Sequence, residues 1–79
     1  MSNDAEGAEA EVAEAESAVT QAEVDVKQAE VVLLAARRGS NQEEIDQAEV
    51  NVKQAQVVLL AAREKLKAAQ EKLQSAQGG

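Results

Sequence analysis

The chain has 79 residues, a net charge of −7, and no Phe, Tyr, Trp, Cys, His or Pro. The missing aromatic side chains exclude a bulky globular core, and the missing cysteines exclude disulfides and thiolate metal sites. The acidic balance argues against nucleic acid and anionic membrane surfaces as partners, because both select patches of Lys and Arg.

Residues 1–7, MSNDAEG, mix helix-starting residue types with a glycine and read as a frayed N-terminal segment. From Ala8 to Arg38 there is neither Pro nor Gly, and Ala, Glu, Gln and Lys dominate; these residues lose least on entering a helix. A first helix is therefore predicted over about residues 8–38, with its start falling between Asn3 and Ala8. Arg37 and Arg38 put positive charge on its last carbonyls, and Gly39 is the residue type best suited to the left-handed conformation that closes a helix. Ser40 with Glu43 three residues later reads as a capping box, and Glu44 and Asp46 add negative charge to the first turn of the next helix. That second helix is predicted over about residues 42–77, ending in a flexible Gly78-Gly79 tail.

An internal repeat supports two equivalent arms. QAEVDVKQAEVVLLAARR at 21–38 recurs as QAEVNVKQAQVVLLAARE at 47–64, with three differences. Duplication of one unit explains this better than convergence on a shared pattern. The arms differ in charge: residues 1–36 hold nine acids and one base, residues 37–79 six acids and seven bases. The halves are electrostatically complementary.

Each arm carries an unbroken heptad. In the first, Val12, Val19, Val26 and Leu33 occupy position a, and Ala15, Ala22, Ala29 and Ala36 occupy d. In the second, Ile45, Val52, Leu59 and Leu66 are at a, with Ala48, Ala55, Ala62 and Ala69 at d; Leu73 and Ala76 continue the series. Between the arms the spacing breaks, and on one continuous helix the seam would jump by roughly 120°. Folding back at residues 40–41 removes the conflict. If facing residues have numbers summing to 81, every large a residue meets an alanine, so the fold class predicted is all-α, an antiparallel coiled-coil hairpin with close helices crossing at about 20°. Flanking charges are expected to pair Glu16 with Arg63 and Glu11 with Lys72, and to set Glu30 against Glu49.

Val24, Val31 and Leu34 on the first arm and Val50, Val57 and Leu60 on the second fall at f and b, away from this seam. They form a candidate lateral interface, through which the chain would meet itself as a dimer or larger assembly. No constellation for catalysis is present: general acid–base work usually draws on His, and Ser17, Ser40 and Ser75 read as helix-surface or cap residues. The acids lack the loop spacing of an EF-hand, so no metal or cofactor is expected. No apolar run approaches a membrane span of roughly 18 residues, and the acidic start does not fit a signal peptide. A soluble chain without direct membrane binding is expected.

The stretch LLAARRGSNQEEIDQAEVNVKQAQVVLLAA resembles the helical hairpin of HlyD-like bacterial membrane fusion proteins, the periplasmic adaptors of efflux and secretion systems. Gly39, Glu43, Glu44, Ile45, Gln47 and Ala48 match their pattern, whereas Asn41 and Gln42 stand where an Arg and often a Pro occur. The resemblance implies a periplasmic location in a larger parent, hairpins packed side by side, and an outer-membrane channel as partner. Read without it, the chain is a free-standing or designed coiled coil that self-associates into a four-helix bundle.

Overall fold

The computed structural model describes residues 3–78, with side-chain surroundings from residue 5 onward. Helix α1 spans Asn3–Gly39 and helix α2 spans Gln42–Gly78. They fold back on one another as an all-α antiparallel hairpin. Each helix has 37 residues, a rise of about 55 Å at 1.5 Å per residue. The Cα extents of 60 × 13 × 12 Å are those of two such helices side by side rather than end to end.

Helix α1 begins at Asn3, the outer limit of its expected start, and runs one residue further than expected to Gly39, while α2 runs through Gly78, one residue past its expected end. One glycine inside a helix costs only about 1 kcal/mol relative to alanine. Ala8, next to Gly7, is buried and Ala5 is half-buried, so the heptad extends one more repeat toward the N-terminus and holds that turn down. Met1, Ser2 and Gly79, the remaining residues of the expected loose ends, lie outside the described residues.

Alanine makes the interior. The buried residues are Ala8, Ala22, Ala48, Ala62 and Ala69, all at d, while the a residues from Val12 to Leu73 are half-buried. Among the described residues no side chain is completely enclosed. Pairing a small residue with a large one in each layer has this effect: the alanine is covered, and the branched side chain opposite it overhangs the narrow seam and keeps its outer atoms in water.

The link is tighter than expected and is built from different residues. Gly39 is the last residue of α1 and has no positive φ; the left-handed residue is Ser40, at φ 65°. The expected Ser40–Glu43 capping box is replaced by a cap one residue later. The Glu44 amide donates to Asn41 Oδ1 at 3.3 Å, and the Ile45 amide donates to the Asn41 carbonyl at 3.0 Å. A serine one position before the cap cannot reach the first free amides of α2, whereas asparagine's carboxamide is among the best acceptors for them. Because α1 ends at residue 39 and α2 begins at 42, the helix ends themselves set the levels of facing residues at a sum of 81.

Candidate functional site

The sixteen seam positions from Val12 to Ala69 are all buried or half-buried, and they form one continuous strip between the helices. Among the described residues three ion pairs cross beside it. Lys72 Nζ lies 3.0 Å from Glu11 Oε1, Arg63 Nη2 lies 3.6 Å from Glu23 Oε2, and Arg37 Nη2 lies 3.5 Å from Glu49 Oε2. The first is the expected pair. The second replaces Glu16–Arg63, and the third takes Glu49 away from Glu30.

The direction of helical side chains explains both changes. Cβ vectors tilt toward a helix N-terminus, so in α1 they lean away from the hinge and in α2 toward it. Glu16 and Arg63, nearly level by backbone, lean apart. Glu23 starts closer to the hinge than Arg63, and the two side chains lean together. The same reasoning joins Arg37 to Glu49 and separates Glu30 from Glu49. All six partners are about half exposed or more, so these pairs adjust a register already set by packing.

The six residues of the candidate lateral interface are all exposed. The repeat places them on the two outer edges in matching environments. Val31 and Val57 are each 64% exposed, and Leu34 and Leu60 are 58% and 59% exposed. Polar contacts repeat too: Gln21 Nε2 donates to Asp25 Oδ1, and Gln47 Nε2 donates to Asn51 Oδ1, both at 3.0 Å. The hairpin thus has a pseudo-two-fold axis perpendicular to the plane of its helices, near the level of Gln28. Its two edges are chemical copies that run in opposite directions.

No family model matches the chain, and no curated protein or solved structure matches it. What can be assigned therefore comes from the surfaces themselves.

Two further apolar residues escaped the sequence reading. Val32 and Val58 are 54% and 57% exposed, at position g on one broad face of the hairpin. They lie beside the seam, outside both the a and d series and the f and b stripe, and the shallow seam leaves them open. The same face carries two grooves. One, of about 430 Å³, is floored by Ala15, Ala62 and Ala69 and edged by Glu11, Lys65 and Lys72. The other, of about 390 Å³ and nearer the hinge, is lined by Val32, Ala36, Ala48 and Asn51. The opposite broad face holds the e positions, with Glu23, Glu30, Arg37, Glu49 and Arg63. The hairpin has two valine edges and two broad faces that both bear charges, one of them also opening the alanine-floored grooves. Among the described residues no His, Cys, Asp or Glu side chains converge in a group of three, and no helix is long and apolar enough to cross a membrane.

Proposed function

We propose that this chain is a non-catalytic structural and interaction module, a narrow strut whose outer valine edges pack side by side against neighbouring copies. The single observation that carries the reading is the pair of equivalent exposed edges, Val24, Val31 and Leu34 on α1 and Val50, Val57 and Leu60 on α2. Isolated exposed valines need no explanation, but two matched rows on a hairpin whose fully buried described residues are all alanine are surface that burial would stabilise.

In the adaptor reading, the strut is the hairpin of a periplasmic membrane fusion protein in efflux or secretion. It sets the distance to an outer-membrane channel and holds neighbouring adaptors together. The resemblance around Gly39 and Glu43–Ala48 supports this reading, as do the two edges, since a unit with two equivalent sides can be joined on both. Nucleic acid and lipid have no part in it: the acidic charge disfavours both.

Sedimentation equilibrium over a wide concentration range tests the reading. Assemblies that grow beyond a pair and shrink on the double substitution Val31→Glu and Val57→Glu are expected. Indifference of the assembly state to that substitution would exclude the edges as docking surfaces.

A further inference from the structure

The strongest surface left unexplained is the alanine-lined face with Val32 and Val58. It lies at right angles to the edges. We infer that this face is covered by a second copy of the chain, face to face, with both hinges at the same end and α1 of each copy lying across α2 of the other. The product is a four-helix bundle. The inference rests on the reading of the chain as an interaction module, but it assigns a different surface and does not depend on an adaptor parent.

Size is the first argument. The face runs the 60 Å length of the hairpin and at least its 13 Å Cα width, an area on the order of 800 Å², which is each partner's share of a standard interface. Its centre is apolar and low. Alanines floor both grooves, and Val32 and Val58 stand beside them. Position g adds Ala18, Val32 and Val58 to the a and d residues, so the apolar strip widens at those three places, while its other g positions carry Asn51 and charged residues.

Charge identifies the occupant. Among the described residues, α1 places Glu11, Glu14 and Asp25 on this face and no base. Helix α2 places Lys65 and Lys72 there and one acid, Glu44, next to the hinge. A two-fold axis along the hairpin's length lays α1 over the partner's α2, antiparallel, at equal distance from the hinge. Glu11 and Glu14 then come level with Lys72 of the second copy, which is also 3.0 Å from Glu11 of its own hairpin, and Asp25 comes level with Val58. The directions agree as well, because the acids lean away from the hinge and the lysines toward it, as they do within one hairpin. Glu14 and Lys65 make no ion pair within the hairpin among the described residues, so both are available.

The competing arrangement, with hinges at opposite ends, stacks α1 on α1 and sets the acid-rich arm against itself. The α1 side of this face carries Glu11, Glu14 and Asp25 and no base among the described residues, so this stacking brings like charges together. Charge thus selects both the partner and its direction. An unrelated acidic or basic helix would repel one arm, whereas a second copy sets Glu11 and Glu14 of each α1 beside the lysines of the other α2.

The experiment starts from a chain whose edges are silenced by Val31→Glu and Val57→Glu, so that face and edge contributions separate. Sedimentation equilibrium of this chain is expected to give a dimer. Adding Val32→Glu and Val58→Glu is expected to raise the dimer dissociation constant by at least about 100-fold, because two charges per copy would be buried without partners. Helix content from circular dichroism accompanies each measurement. If the second pair of substitutions costs helix, orientation decides instead: nitroxide labels on Ser40→Cys in the edge-silenced chain should lie within about 30 Å of one another across the dimer, as neighbouring helices 8–10 Å apart require. A monomer at every concentration, a dimer indifferent to Val32→Glu and Val58→Glu with helix content retained, or labels separated by most of the molecule's length would each overturn the inference. None of these results bears on the edges, which stand or fall on the response of the parent chain to Val31→Glu and Val57→Glu.

Discussion

Residues Gly39 and Ser40 stand in the wrong order for the backbone they adopt, and exchanging their roles should stabilise the hairpin. Ser40 takes the left-handed conformation at φ 65°, which costs a residue with a Cβ about 1–2 kcal/mol and glycine almost nothing. Part of the relief in Ser40→Gly is lost to the greater freedom of glycine in the unfolded chain, which leaves a gain of about 0.5–1 kcal/mol. Gly39 is the converse case. It is helical without a positive φ, and a Cβ built on it meets nothing within 4 Å, so Gly39→Ala should add about 0.5–1 kcal/mol by restricting the unfolded chain. The two residues are adjacent and their effects will not add fully, but the double variant should gain about 1–2 kcal/mol. For a chain of this size each kcal/mol moves the melting temperature by about 4–8 °C. Thermal melts tracked by circular dichroism at 222 nm, at fixed protein concentration, read this directly. If Gly39 were the left-handed residue, Gly39→Ala would lower the melting temperature and Ser40→Gly would bring no gain. That pattern would refute the assignment of the turn.

The packing and the caps set three other outcomes. Ala22, 3% exposed, has no room for a larger side chain against the facing Leu59, so Ala22→Leu should destabilise by about 1–3 kcal/mol; a melting temperature at or above that of the parent would mean the facing pairs are misassigned. Asn41→Ala removes the acceptor of the Glu44 amide and should cost about 1 kcal/mol, with Asn41→Ser recovering most of it. In double-mutant cycles, Arg63 should couple to Glu23 by about 0.2–1 kcal/mol and to Glu16 by less, and the coupling should fade as salt rises; the opposite ranking would contradict the lean of the side chains.

The fold was legible because heptad, composition and repeat all point to it. The unbroken a and d series and the twelve-residue step from Leu33 to Ile45 leave an antiparallel pair as the arrangement that keeps every large residue against an alanine. The turn was legible only in outline. Gly39, Ser40 and Glu43 each have the right chemistry for a cap, but so do their neighbours, and a one-residue choice depends on how two backbones meet rather than on residue preference. Glu11–Lys72 was read correctly, but the partner of Arg63 was missed by one heptad for a related reason: residue numbers give the levels of backbones, while long side chains meet where their tips lean. The edge valines could be read from their f and b positions. Val32 and Val58 could not, because position g is covered in a broad core and open beside an alanine seam, and only the observed depth of the seam separates the two cases.

The alanine interior also governs how this molecule responds to temperature. Unfolding a globular domain raises the heat capacity by about 12–15 cal/mol/K per residue, mainly through newly exposed apolar surface. In this hairpin the overhanging valines and leucines are already wet, and the enclosed residues are methyl-sized. The heat-capacity increment per residue should therefore fall well below that range, and the stability curve should be a shallow arc. The isolated hairpin would loosen gradually on heating, keep most of its stability on cooling, and gain a sharper transition only when other surfaces are packed against it.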